Sequence, residues 1–145
     1  MIRLETVNPD NWRLRLKVSD AQKSFVADSA TILARAYAYR ESRSKAYVIY
    51  NDTLPVGMAL YYDCAELNAY DLSQLFIDER YQGNGFGIEA TKQILDKMKS
   101  DSKYDKVMLC YIDGNEVAKN MYEKLGFKLT GDRDEDEIIM EKALR

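Results

Sequence analysis

Apolar and polar residues along this chain follow two repeats, one of two residues and one close to 3.6 residues. Short runs rich in β-branched and aromatic residues, bounded by Gly, Pro, Asn or Asp, predict strands. Such runs lie at residues 2–6, 46–50, 56–62, 69–77, 106–112, 127–130 and 138–141. Several of them are separated only by short turns, which is typical of antiparallel pairing.

Helices are predicted where apolar residues recur three or four positions apart. One helix is expected to start with a cap at Asn8 or Asp10, and a second with a cap at Ser29. Two further helices are expected at residues 85–100 and 116–125. The two later helices each follow a predicted strand after a short glycine-containing turn, so strands and helices alternate in this half of the chain.

No repeat, linker or low-complexity segment interrupts this order of elements. The chain therefore predicts a single α/β domain over residues 1–145, with a mixed, mostly antiparallel sheet of about six to seven strands flanked by about four helices. Residues 132–137 are almost all acidic, and we expect them to form a solvated loop between the last two strands.

Composition narrows the class of protein. Apolar residues make up 46% of the chain and charged residues 31%, as in a globular protein, and no apolar run is as long as a membrane span. Two cysteines are too few for a disulfide framework, and the absence of histidine excludes a histidine-based metal site or catalytic triad. We expect a reduced cytoplasmic protein without a metal, a signal peptide or a membrane partner. The net charge of −3 disfavours nucleic acid and suits a cationic small substrate.

A glycine-spaced turn, Gln82-Gly83-Asn84-Gly85-Phe86-Gly87, joins a predicted strand to a predicted helix. Alternating glycines allow positive φ and turn successive N–H groups inward, and the helix adds its unpaired first-turn donors. This arrangement predicts a site for an anion such as a pyrophosphate. Ile88 replaces the third glycine of a dinucleotide fingerprint, and no Gly-Lys-Ser/Thr follows, so two common nucleotide loops are excluded. A loop that needs glycine only to reverse its direction stays open as an alternative.

A second motif follows the turn at a distance of some thirty residues. It consists of Asn115, Ala118, Tyr122, Gly126 and Phe127 in the spacing Asn-x-x-Ala-x-x-x-Tyr-x-x-x-Gly-Phe. Placed after a Gln-Gly-x-Gly-x-Gly turn, this motif resembles the Gcn5-related N-acetyltransferase (GNAT) superfamily. The resemblance implies acetyl-CoA as the acyl donor, an amine as the acceptor and a GNAT-like fold.

The resemblance also implies a set of cofactor-binding residues. The strand before the turn splays from its neighbour in this superfamily, and its backbone bonds the pantetheine arm, which places Leu75 at the thioester oxygen as an oxyanion donor. The amides of the glycine turn would hold the pyrophosphate. The cofactor-binding set implied is Leu75, Phe76, Ile77, Gln82, Gly83, Asn84, Gly85, Phe86, Gly87, Asn115 and Ala118. Nearby cations that would offset the phosphates are Arg80, Lys92, Lys119 and Lys124.

Two catalytic residues are implied by the same resemblance. Tyr122 matches the general acid that protonates the leaving thiolate, although a core tyrosine on the same helix face is the alternative. A general base must take a proton from the alkylammonium group, and related polyamine enzymes use a carboxylate two residues before the oxyanion residue. Ser73 stands at that position here. Asp71, two residues further back on the same strand face, can replace it through water or can be an ordinary surface aspartate.

The chain is also similar to bacterial spermine/spermidine acetyltransferases over nearly its whole length. The segments that carry this similarity are Ile2-Arg3-Leu4, Asn11-Trp12, Leu16-Lys17-Val18, Gln22, Phe25-Val26-Ala27, Ile77-Asp78, Tyr81-Gln82-Gly83, Gly126-Phe127 and Thr130-Gly131. A polyamine or diamine acceptor is therefore expected. Carboxylates and aromatic rings that would contact it are Asp63, Glu66, Asp71, Glu41, Tyr37, Tyr61 and Tyr62.

Two other readings of the acceptor and the function are kept. The first is an enzyme of the same superfamily that acts on an aminoglycoside, an amino acid or a protein N-terminus. The second is a catalytically idle module that binds acyl-CoA. A homodimer is the common habit of the superfamily and is expected on that ground alone.

Overall fold

A computed structural model describes residues 1–23, 25 and 27–145, so Val26 of the polyamine-enzyme similarity lies outside the described residues. The strands are β1 (Ile2–Thr6), β2 (Lys45–Asn51), β3 (Leu54–Cys64), β4 (Ala69–Ile77), β5 (Lys106–Ile112), β6 (Lys128–Asp134) and β7 (Glu137–Ala143). The α-helices over these residues are α1 (Ser29–Ala38), α2 (Phe86–Asp101) and α3 (Glu116–Lys124). The predicted fold class, a mixed and mostly antiparallel α/β domain, is confirmed.

The strands form one sheet in the order β1-β2-β3-β4-β5-β7-β6. Neighbours are antiparallel except β4 and β5, which run parallel. These two strands pair only at Tyr70 with Val107 and at Asp71 with Met108, so they diverge over the rest of their length. The divergence opens a gap in the middle of the sheet, bordered by the second half of β4 and of β5.

Two apolar cores hold this sheet, one on each face. Helix α2 contributes Ile94 and Met98, both fully buried, to a core that includes Val107 of β5. On the other face, Ile32 of α1 packs in a core with Leu60 of β3 and Phe76 of β4. Burying each large aliphatic side chain stabilises the fold by about 1.5–3 kcal/mol. Because β4 and β5 both pack against these cores, the two edges of the gap are held in position.

A β-bulge in β4 changes which side chains face which core. Leu60 lies opposite Gln74 and Tyr61 lies opposite Leu72, so Ser73 has no partner on β3. Residues before the bulge and residues after it therefore alternate in opposite phase. Leu72 packs in the core on the α2 side, whereas Phe76, four residues later, packs in the core on the α1 side. The sequence pattern did not predict this bulge.

Three local predictions are wrong. The helix expected from Asn8 or Asp10 is absent, which leaves three α-helices rather than about four over the described residues. The Asn8 side chain does accept the N–H groups of Asp10 and Asn11, at 2.8 and 3.1 Å, but only a turn follows. From Arg13 onward polar and apolar residues alternate singly, and this period suits an extended segment rather than a helix.

The other two corrections concern a cap and a loop. Asp28, not Ser29, caps α1, since its carboxylate accepts the N–H of Thr31 at 2.7 Å. The acidic stretch at residues 132–137 is solvated as expected but is a hairpin rather than a loop, because β6 continues to Asp134 and pairs there with Glu137. No helix of the described residues is long and apolar enough to cross a bilayer.

Candidate active site

The glycine turn exposes a row of backbone donors at the start of α2. Gly83 and Gly85 have φ values of 82° and 79°, a region that favours glycine, and α2 begins at the next residue, Phe86. The backbone N–H groups of residues 83–88 donate no hydrogen bond to another described residue. A run of free N–H groups at the positive end of a helix dipole favours an anion.

Asp78 fixes the start of this turn. Its fully buried carboxylate accepts the backbone N–H of Lys17 at 2.9 Å and of Arg80 at 3.0 Å, and the Arg80 Nε at 2.8 Å. Burial acts to raise the pKa of Asp78, but these hydrogen bonds outweigh it and hold the pKa below its usual value. Arg80 thus pairs with Asp78 through Nε and Nη2, and its side chain stays more than half exposed.

A groove of about 560 Å³ runs from the glycine turn along the gap side of β4, with α3 as its other wall. Most of the predicted cofactor-binding residues line it, namely Leu75, Phe76, Ile77, Gln82, Gly83, Gly85, Phe86, Gly87, Asn115 and Ala118. Asn84 is not among the lining residues, and its side-chain amide donates to the Tyr81 carbonyl oxygen at 3.0 Å, but its backbone N–H is one of the free donors of the turn. Of the predicted phosphate-offsetting cations, Lys124 borders the groove, whereas Lys92 and Lys119 do not.

Backbone polarity along β4 shows which amides face the gap. The N–H of Asp78 donates to the Val56 carbonyl on β3 at 2.7 Å. Because backbone groups point to alternate sides along a strand, those of Leu75 and Ile77 point away from β3 and into the gap. The Ile77 carbonyl accordingly accepts the Gln82 side-chain amide at 2.9 Å. The Leu75 N–H therefore faces the groove, without a strand to bind it.

A second cavity, of about 530 Å³, adjoins this groove on the α1 side of the sheet. Both cavities are bordered by Leu75, Asn115, Ala118 and Tyr122, so they meet at these four residues. The second cavity is otherwise lined largely by polar and aromatic side chains: Arg35, Tyr39, Tyr62, Asp71, Ser73, Gln74, Cys110, Tyr111 and Glu137. The structure thus brings together a groove and a polar pocket that share one short boundary.

Asp71 is partly buried in this pocket. Burial raises its pKa to about 6; Arg35 acts in the opposite direction, and Glu137 adds to the increase. An acid with that pKa is mostly ionised at neutral pH and can still exchange a proton readily. The carboxylate therefore has the acidity expected of a general base that works near pH 7.

Tyr122 lies on α3 at the boundary of the two cavities. Its ring is 7% exposed and packs edge-on against Phe127, with ring centroids 5.5 Å apart. Burial alone raises the pKa of Tyr122, so the hydroxyl keeps its proton at neutral pH. Asn115 caps the N-terminus of α3, because its side-chain oxygen accepts the N–H of Ala118 at 3.2 Å. Tyr122 is thus a packed, protonated side chain at the boundary of the two cavities.

The sequence pattern did not indicate three lining residues: Arg35, Tyr39 and Glu137. Arg35 donates to the Ser73 Oγ at 3.1 Å. The Tyr39 ring stacks on Tyr62 with centroids 4.1 Å apart and forms one wall. Only the i, i+4 spacing of Arg35 and Tyr39, which places them on one face of the helix and its end, could have suggested that they act together.

Several acceptor contacts expected from the sequence lie elsewhere. Asp63 is engaged by Arg43 at 2.7 Å and by Lys103 at 2.9 Å, and Tyr61 packs in the core on the α2 side. Glu41, Glu66 and Tyr37 are exposed and do not line the pocket. Tyr62 and Asp71 are the two expected contacts that do. Among the described residues there is no group of three or more His, Cys, Asp or Glu side chains that could hold a metal ion.

Comparison with known proteins finds acetyltransferases by family, by sequence and by structure. Residues 11–127 match the acetyltransferase (GNAT) family. The chain is 30% identical to the spermine/spermidine N(1)-acetyltransferase of Bacillus subtilis, over 99% of each chain. Similar solved structures include a Vibrio cholerae spermidine N-acetyltransferase in complex with CoA and spermine, at a TM-score of 0.78, 16% identity and coverage of 99% and 95%. An aminoglycoside acetyltransferase in complex with coenzyme A has a TM-score of 0.82 at 14% identity, with the same coverage.

Proposed function

Because this chain belongs to the acetyltransferase (GNAT) family, we propose that it transfers the acetyl group of acetyl-CoA directly to a primary amine of a polyamine or diamine, such as spermine or spermidine. The observation that carries the proposal is the meeting of the groove and the pocket at Leu75 and Tyr122, with Asp71 in the pocket. The groove takes the acetyl-CoA and the pocket takes the amine.

The groove suits acetyl-CoA through its backbone groups. Free N–H groups from Gly83 to Ile88 bind the pyrophosphate at the start of α2. The peptide groups of Leu75 and Ile77, which face the gap, bind the pantetheine amides. The Leu75 N–H then donates to the thioester oxygen, where negative charge develops as the amine adds.

Asp71 and Tyr122 move the protons. Asp71 takes one proton from the ammonium group, directly or through water, and leaves a neutral amine that attacks the thioester carbon. Tyr122 donates its hydroxyl proton to the sulfur as the carbon–sulfur bond breaks. The second proton lost by the amine restores the tyrosine. A pKa near 6 for Asp71 and a raised pKa for Tyr122 place both groups in the required state at neutral pH.

A multiply charged aliphatic amine fits the pocket walls. Asp71 and Glu137 supply two carboxylates, and the stacked rings of Tyr39 and Tyr62 supply a flat surface for methylene groups and cations. The names of the Bacillus subtilis and Vibrio cholerae relatives support the same acceptor class. A homodimer stays a prediction from the sequence resemblance, and a cytoplasmic location stays a prediction from composition.

Coenzyme A release across a panel of amines, together with calorimetric binding of acetyl-CoA, tests this function. The panel contains spermine, spermidine, short diamines, a monoamine, an aminoglycoside and an N-terminal peptide. We expect the polyamines and diamines to have the highest kcat/KM. Equal rates for the monoamine would refute the polyamine assignment. Binding of acetyl-CoA without turnover of any amine would instead indicate a non-catalytic acyl-CoA-binding module.

A further inference from the structure

Arg35 places a cation in a pocket that is proposed to receive cations. It lies in the last turn of α1, is partly exposed, and borders the pocket beside Ser73. Its Nη1 donates to the Ser73 Oγ at 3.1 Å. Over the part of the chain that the structure describes, no carboxylate lies within ion-pair distance of it, and no hydrogen bond uses its Nε or Nη2. Arg35 thus brings to the pocket lining a guanidinium whose charge is not paired with a carboxylate of any described residue.

Asp71 is the complementary group. It lines the same pocket, and within the described residues it forms no ion pair, although it lies close enough to Arg35 for the two charges to interact. Holding two opposite charges partly out of water without pairing them costs free energy. A ligand that carries both an ammonium and a carboxylate would neutralise both groups at once.

We propose that the pocket has a second acceptor class: primary amines that also carry a carboxylate, with Arg35 binding the carboxylate and Asp71 facing the amine. The guanidinium fork matches the two oxygens of a carboxylate, which an ammonium cannot do. This further activity rests on the acetyl-transfer centre proposed above and extends the range of its acceptors.

The two classes are separated by direction within the pocket. Arg35 contacts β4 from the side of β3, where Tyr62 also bonds Ser73 at 3.2 Å. Glu137 lies on the other side of β4, at the start of β7 and opposite Ile112 of β5. A polyamine therefore extends from Asp71 toward Glu137 and away from Arg35. An amino-carboxylate extends from Asp71 toward Arg35.

The chemistry is the same for both classes. The amine nitrogen bonds to the acetyl carbon, and the carbon–sulfur bond breaks. One ammonium proton passes to Asp71 and on to solvent, Tyr122 protonates the sulfur, and the second nitrogen proton restores Tyr122. The products of the second class are an N-acetylamino acid and coenzyme A, with no oxidant or metal required.

Length-matched pairs of substrates test the proposal. 4-Aminobutyrate is compared with 1,4-diaminobutane, and 5-aminopentanoate with 1,5-diaminopentane, by coenzyme A release. In Arg35→Gln we expect the ratio of kcat/KM, amino-carboxylate over diamine, to fall about 10-fold or more, mainly through KM. In Glu137→Gln we expect the ratio to rise. Opposite changes in the two variants distinguish a subsite from a general loss of structure, which thermal melts of both proteins also monitor.

Two results would overturn the proposal. The first is a wild type that acetylates the diamines but not the amino-carboxylates, which leaves the polyamine function intact. The second is an unchanged ratio in Arg35→Gln. If that variant does not fold, Arg35→Lys replaces it: the charge remains but the fork is lost, so the ratio must still fall. Activity on amino-carboxylates alone would refute the polyamine assignment and support this one.

Discussion

The buried Asp78 carboxylate accepts the backbone N–H of Lys17, 61 residues earlier in the chain, at 2.9 Å. One residue thereby joins the extended N-terminal segment to the end of β4. The same carboxylate also holds the backbone and the guanidinium of Arg80. The glycine turn begins two residues after Arg80, so Asp78 positions the proposed pyrophosphate site although it does not line the groove.

The first prediction concerns Asp78→Asn. The amide keeps the shape of the side chain, but one of its two ends can no longer accept any of the four hydrogen bonds made by the carboxylate, so we expect the free energy of unfolding at pH 7 to fall by about 1–3 kcal/mol. The KM for acetyl-CoA should rise as well. Asp132→Asn, at an exposed position of β6, is the control and should change neither quantity.

The pH dependence of this loss of stability follows from the direction in which the pKa of Asp78 is shifted. The pKa of Asp78 is lowered in the folded state, so its contribution to stability is present above the unfolded value near 3.8 and disappears as the pH falls through the folded value. In urea unfolding, the difference in free energy of unfolding between the wild type and Asp78→Asn should therefore be largest at neutral pH and should shrink below about pH 4. A difference that stays constant with pH would indicate an effect of packing rather than of charge.

The second prediction separates backbone strain from cofactor binding. Gly85 and Gly131 both have positive φ, 79° and 89°, and an added Cβ meets no atom within 4 Å at either position. Valine at each should therefore strain the backbone to a similar degree. Only Gly85→Val places a branched side chain at the groove, so calorimetry should show acetyl-CoA binding lost there and retained in Gly131→Val. Equal binding in the two variants would contradict the proposed pyrophosphate site.

The third prediction concerns Tyr122→Phe. The ring and its packing on Phe127 are kept and only the hydroxyl is removed, so turnover should fall by about 10²-fold or more while acetyl-CoA affinity is nearly unchanged. Tyr104→Phe, a buried tyrosine outside both cavities, is the matched control. Single-turnover rates should be measured as well, because they separate the chemical step from product release. Wild-type turnover in Tyr122→Phe would show that solvent or another group protonates the thiolate.

The fourth prediction concerns the activity of Asp71→Asn. In the wild type kcat/KM should rise with pH through an apparent pKa of about 6, as the carboxylate ionises. The variant should lose this step and regain part of its activity at high pH, where free amine is available without a base. Asp96→Asn, at an exposed position of α2, should keep the wild-type profile.

Asp71→Asn, which should lower activity, should raise the stability of the fold at neutral pH. The pKa of Asp71 is raised in the folded state, so the unfolded chain loses this proton first as pH increases. The contribution of Asp71 to the free energy of unfolding of the wild type therefore declines as the pH rises from about 4 to above 6. We expect Asp71→Asn to melt at a higher temperature than the wild type at pH 7, with little difference at pH 4. A lower melting temperature of Asp71→Asn at pH 7 would mean that the attraction between the Asp71 and Arg35 charges outweighs the cost of burial.

The sequence predicted best those features that are local in the chain. The strand that ends at Ile77, the positive φ values of Gly83 and Gly85, and the helix that begins at Phe86 all depend on residues within a short segment. The motif from Asn115 to Phe127 is also local, and the structure places Tyr122 at the boundary of the two cavities. The roles of these residues stay predictions.

Features that depend on distant pairing could not be read from the sequence. The bulge at Ser73 depends on the register between β3 and β4, and Arg35 and Glu137 approach Asp71 from α1 and β7. Neither relation leaves a periodic signal in the chain. The false helix at Asn8 shows the reverse case, in which a real capping hydrogen bond is not followed by a helical apolar pattern.

In its backbone hydrogen bonds, the seven-stranded sheet consists of two halves that are joined over two residue pairs between β4 and β5. Backbone hydrogen bonds join β1, β2, β3 and β4 in one half and β5, β7 and β6 in the other. Among the described residues, only the strand pairs at Tyr70 and Asp71 connect the two halves. An extended ligand with amide groups that occupies the gap would act as a missing length of strand and bridge the halves. Ligand binding should therefore strengthen the molecule along this line, and forced unfolding without ligand should begin by parting the two halves there.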